Sequence, residues 1–145
     1  MTGEARPRIA TGRLWAGGGA TALVAALTAV VVFVVAHGIF GVPVLAPVER
    51  GVWDSIGAAV YAGGAAAAAL AATALLHLLL ICTPRAMSFF TGITLLLTAI
   101  AVVVPVSLDA DSGTRLVTAA GNLFVGLVIT GTLSGVARAA VRAPG

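Results

Sequence analysis

The chain has 145 residues, 60% of them hydrophobic and 9% charged, with a mean hydropathy of +1.13. Those values exclude a water-soluble globular domain, because a chain of this length cannot hide so much apolar surface from water. The isoelectric point near 10.5 does not make it a nucleic-acid binder. Arg6, Arg8, Arg13, Arg85, Arg138 and Arg142 stand at the ends of apolar segments rather than along one basic face.

A hydrocarbon core of ~30 Å needs about 20 helical residues, and the charges leave apolar runs of that length. After a tail of residues 1–13, the first span covers about 14–37. The loop "GIFGVPVLAPVERGVWD" follows, with Pro43 and Pro47 breaking any continuous helix. The second span, about 55–82, is longer than a perpendicular crossing needs and is expected to tilt or protrude. The tight break "CTPRA" has Pro84 in the turn or at the first helical position of the next span. The third span covers about 87–106, with Pro105 near its far end. The acidic turn "LDADSG" leads into the fourth span, about 114–137, and a tail of residues 138–145. Short connections make sequential spans antiparallel neighbours. The expected fold is therefore all-α, a transmembrane four-helix bundle forming one domain over 14–137. Backbone satisfaction in lipid requires helices here, since separated segments of this kind cannot close a barrel.

The arginines set the expected orientation. With a cytoplasmic N-terminus, Arg6, Arg8, Arg13, Arg85, Arg138 and Arg142 lie inside. Arg50 and Arg115 lie outside with Glu49, Asp54, Asp109 and Asp111. Both termini are expected in the cytoplasm, with Trp15 and Trp53 at opposite interfaces. A competing reading is a secretory signal: basic residues, an apolar run from Ala20 to Ala36, and "VVA" ending at Ala36. The run exceeds the usual core of about 7–15 residues, and cleavage would leave three spans with the same later orientation. The lack of lysine beside abundant Ala, Gly, Val and Arg points to a GC-rich bacterial genome. The single cysteine, Cys82, excludes an intrachain disulfide and a cysteine-based metal cage. It is expected to pack as a small hydrophobe near the inner boundary.

Few polar residues interrupt the spans. Thr118, Asn122, Gly126, Thr130 and Ser134 recur every four residues and form one ridge on the fourth helix, with Gly131 and Gly135 beside it. The second helix offers a small-residue surface, "AGGAAAAALAATA". Close packing of helices two and four, with Asn122 as a tether, is the favoured reading. The alternative is a polar point on a solute path. His77 lies about five residues from the inner boundary, roughly 7–8 Å at 1.5 Å per residue. Snorkelling or a hydrogen bond to a neighbouring helix is favoured over proton relay, because no span carries a carboxylate partner. His37 reads as exposed at the lipid headgroups and Tyr61 as an interfacial anchor. Thr91, Thr94 and Thr98 share one face of the third helix, where bonding to their own helix's carbonyls is commoner than lining a pore. Pro105 frees the carbonyl of Ala101 and is expected to terminate the span.

Asp54, Asp109 and Asp111 could hold a divalent cation if their loops met, but solvated loop acids are the commoner case. No nucleophile–base pair, phosphate loop or zinc spacing is present. No enzyme activity, cofactor or metal is expected.

The "GVPVLAP" element, the glycine–alanine second span and the passage "VVVPVSLDADSGTRLVTAAGNLFVGLVI" carry a family resemblance. The stretch from about Ala20 to Val136 resembles a family of uncharacterised, mostly actinobacterial membrane proteins with four spans, classed as a domain of unknown function. The resemblance implies the fold and compartment and supplies no catalytic residues. Members often have a histidine in the fourth span, where this chain has Asn122, which weakens any proton-linked role.

Two functions remain open from the residues. One is a small structural or interaction protein of the cytoplasmic membrane, whose partners are the lipid bilayer and either another membrane protein or copies of itself. The other is an oligomeric small-solute transporter or channel subunit, lined by the ridge of the fourth helix and the threonines of the third.

Overall fold

The computed structural model describes residues 10–41, 44 and 55–142. Its helices are α1 (Thr11–Gly38), α2 (Ser55–Cys82), α3 (Ala86–Ser107) and α4 (Ser112–Arg142), and among the described residues there is no strand. All four helices are long and apolar enough to cross a membrane. The protein is thus all-α, a four-helix bundle of the multi-pass membrane type. Arg6, Arg8, Pro43, Pro47, Glu49, Arg50, Trp53 and Asp54 lie outside the described residues.

Local chemistry sets the helix ends. The chain leaves α1 through Gly41, whose φ of 61° is left-handed backbone that glycine adopts without cost. Pro84 sits in the turn between α2 and α3. The Thr83 N–H closes α2 on the Leu79 carbonyl at 2.8 Å, and the Ser88 N–H opens α3 on the Arg85 carbonyl at 3.1 Å. At the start of α4 the Asp111 carboxylate accepts from the Gly113 N–H at 3.0 Å, while its carbonyl accepts from the Arg115 N–H at 3.0 Å. Asp111 therefore satisfies orphan donors and complements the helix dipole.

Neighbours in sequence run antiparallel. Near the termini, Gly17 of α1 abuts Val136 of α4; toward the other end, Gly121 of α4 abuts Val32 of α1. The helices form a ring in the order α1, α2, α3, α4, in which α1–α2 is the most extensive interface and α2–α3 the least extensive between neighbours. This corrects the expected packing of α2 against α4. These two helices lie across the diagonal without close backbone packing, and the hydrogen bond between the Tyr61 hydroxyl and Asn122 links them.

Glycines fix the tight interfaces. A Cβ on Gly18 would stand 2.4 Å from Thr73 Cγ2 across α1–α2, and one on Gly126 would stand 2.4 Å from Thr98 Oγ1 across α3–α4. In lipid, helices gain little from excluding apolar surface, so such close backbone approach is the main source of association. The core is graded along its axis. Leu14, Leu76, Phe90 and Leu133 are fully buried in the half nearer the termini, whereas Ala25, Ala29, Ala65 and Ala69 supply much of the remainder. Outside, leucines such as Leu96 and Leu116, 68% and 71% exposed, present the apolar surface that hydrocarbon requires.

Cys82 is exposed at the end of α2. In the last turn of α2, Leu79 and Leu80 pack against the core while Cys82 faces away from it.

Candidate functional site

The ridge residue Asn122 stands ten residues into α4, about 15 Å along the helix at 1.5 Å per residue. Its Nδ2 donates to the carbonyl of Ala101 on α3 at 2.7 Å, and its Oδ1 accepts from the Tyr61 hydroxyl of α2 at 2.9 Å. A carbonyl can only accept, so the bond to Ala101 fixes which way the amide points. Asn122 joins three helices.

The Ala101 carbonyl needs that donor because of Pro105. In a continuous helix it would accept from the N–H four residues later, and Pro105 has none. α3 ends at Ser107, two residues past Pro105, which is buried within its last turn. α4 supplies the hydrogen bond that Pro105 withholds. Tyr61 is also more than an interfacial anchor: it is half-buried and its hydroxyl faces the bundle interior.

Beside this cluster lies a cavity of about 330 Å³. Its walls are the small residues Gly64, Ala65, Ala68 and Ala72 of α2, Thr94 and Thr98 of α3, and Asn122, Gly126 and Thr130 of α4. It adjoins the α2–α3 interface, the least extensive between neighbouring helices. No charged side chain is among its lining residues.

The threonines do not offer a wet stripe. Thr94 Oγ1 donates to the Phe90 carbonyl at 2.8 Å, Thr98 Oγ1 to the Thr94 carbonyl at 2.7 Å, and Thr130 Oγ1 to the Gly126 carbonyl at 2.8 Å. Each hydroxyl is spent on its own helix. Among the described residues no buried side-chain nitrogen or oxygen lacks a partner.

Of the other ridge residues, Thr118 is buried and Ser134 half-buried, and neither lines the cavity. Gly131 and Gly135 have nothing within 4 Å of a Cβ position and face outward. His77 belongs to a separate place near the termini. Its Nδ1 accepts from the Trp15 indole N–H at 3.3 Å, with the rings edge to face at 6.2 Å. That contact ties α1 to α2. His37 stacks on Phe33 at 6.2 Å. Among the described residues no group of three or more His, Cys, Asp or Glu could hold a metal ion.

Two residues were underread from the sequence. Tyr61 carried no local signal, being one aromatic near a helix end. The partnership of Asn122 with Ala101 had a usable signal: a proline inside a span frees a carbonyl at a known offset, and an interior amide is the natural donor for it.

A family model matches residues 9–139. The chain belongs to DUF6069, a family of unknown function. No curated protein and no solved structure matches this DUF6069 chain significantly. What the DUF6069 site can do therefore rests on its own geometry: a neutral hydrogen-bonded clasp beside an apolar hollow.

Proposed function

We propose that this protein is a small, non-catalytic structural or interaction subunit of a bacterial cytoplasmic membrane, with both termini in the cytoplasm. The observation that carries the reading is the division of α4's glycines. Gly121 and Gly126 press against neighbouring helices of the same chain, whereas a Cβ on Gly131 or Gly135 would meet nothing within 4 Å. Each glycine inside a helix costs roughly 1 kcal/mol relative to alanine. A pair spaced by four on an outward face offsets that cost when a helix of another membrane protein, or of a second copy, docks there. Replacing both with leucine should abolish association in native membranes, read by cross-linking and mild-detergent pull-down, while the monomer unfolds as before. Retained association with the double variant would overturn the reading, and recovery of this chain alone would count against a different partner protein.

The transporter reading draws support from the hollow beside Asn122. It has less behind it, because the threonine hydroxyls are turned onto their own carbonyls and no ionisable pair flanks the route. Flux of small solutes in liposomes that disappears with Asn122→Leu while the fold survives would revive it.

The proposed orientation rests on the arginine distribution, and Cys82 tests it. Exposed at the end of α2, the thiol should escape a membrane-impermeant maleimide in whole cells and react after permeabilisation. Labelling in whole cells would reverse the assignment of sides. Retention of α1 is proposed on its packing: it contacts both α2 and α4, and its loss would strip two faces of the bundle.

A further inference from the structure

We propose that the hollow between α2, α3 and α4 is a binding site for a small neutral amphiphile that enters sideways from the bilayer. The ligand class is a molecule with an apolar body and one hydroxyl or carbonyl group.

Size comes first. A dry protein cavity of roughly 150 Å³ accommodates one benzene, so about 330 Å³ leaves room for about a dozen non-hydrogen atoms. Hollows of this size, mostly apolar with a few convergent polar groups, are the usual form of a small-molecule site. Access follows from exposure: among the lining residues, Gly64, Ala68 and Leu97 are exposed on the outside of the bundle. The opening thus lies between α2 and α3, where hydrocarbon rather than water meets the protein.

Polarity then selects the ligand. No lining side chain is charged, so an ion would stand uncompensated in a low-dielectric setting. Asn122 uses one of its two Nδ2 hydrogens on Ala101 and one Oδ1 acceptor position on Tyr61. One N–H and one acceptor position remain, and the Tyr61 oxygen keeps acceptor capacity. A single hydroxyl or carbonyl matches that spare capacity. A plain hydrocarbon leaves it unused.

The test uses the whole wild-type protein in liposomes and a decanol carrying a photoreactive diazirine on its chain. Labelling should saturate, map to 64–72 of α2 and 97–101 of α3, and be displaced by decanol at concentrations where decane does not compete. One hydrogen bond distinguishes the two competitors, so decanol should be about two- to tenfold more effective. Ala68→Phe at the opening should lower the labelling, and in Asn122→Leu the two competitors should become equal. Labelling that never saturates, or that covers the outer faces of α1 and α4 equally, would mean ordinary lipid contact and would overturn the proposal. Equal displacement by decane in the wild type would do the same, as would a cross-link showing a second copy seated between α2 and α3. These outcomes are separate from the association test on Gly131 and Gly135.

Discussion

Replacing Asn122 with leucine is expected to destabilise the bundle by about 2–3 kcal/mol, well above the cost of Tyr61→Phe. Hydrogen bonds across membrane helices contribute about 0.6 kcal/mol on average and up to ~1.7. Tyr61→Phe removes one such bond and leaves Asn122 still donating to Ala101. Asn122→Leu removes both and strands the Ala101 carbonyl without a donor. An unsatisfied buried polar group adds about 1–3 kcal/mol. The proline makes this case distinctive. Pro105→Ala would return an N–H at the position that ordinarily serves the Ala101 carbonyl. In that background the cost of Asn122→Leu should shrink by about 1 kcal/mol, since the carbonyl is then no longer orphaned. Reversible unfolding in mixed micelles, run on the four members of this cycle, measures the coupling. Strict additivity would show that Asn122 does not compensate for the proline.

Gly126→Ala is expected to cost about 1–3 kcal/mol, the range for overpacking a filled interface. The added methyl would lie 2.4 Å from Thr98 Oγ1, 2.5 Å from its Cγ2 and 2.9 Å from its Cβ. Thr98 cannot swing away cheaply. It is β-branched, buried, and held by its hydroxyl on the Thr94 carbonyl. α3 must therefore shift from α4. Gly131→Ala is the internal control: with nothing within 4 Å, it should leave monomer stability unchanged or slightly raised, as helix propensity favours alanine. Both follow from the same unfolding assay, and equal effects at the two glycines would remove the distinction between inward and outward faces.

The architecture was legible in the sequence because its signals are long-range and redundant. Runs of apolar residues near twenty in length, broken by Pro84 and by the acidic turn at Asp109 and Asp111, leave little freedom in where helices start and stop. Interhelical pairing was less legible. The four-residue spacing from Thr118 to Ser134 fixes a ridge on α4 but not the helix it meets, and small residues are as compatible with α3 as with α2. Gly126 met Thr98 on α3, while Gly131 faced outward. Glycine looks the same in both roles until neighbours are known. Asn122 and Pro105 were each conspicuous, but their connection depends on the rotation of α3 against α4, which no local pattern encodes.

The α2–α3 seam has one further consequence. It is sewn shut at one end by the short covalent turn after Cys82 and buttoned toward the other by the Tyr61–Asn122–Ala101 clasp. The hollow between those fastenings is lined over residues 60–72 of α2 and 94–101 of α3, about 18 Å and about 10 Å of helix at 1.5 Å per residue. Its long direction follows the helix axes, so it favours slender shapes lying along the bilayer normal over broad ones. Releasing the clasp would unfasten just one end, letting α2 and α3 splay about the turn while the rest of the ring stays closed.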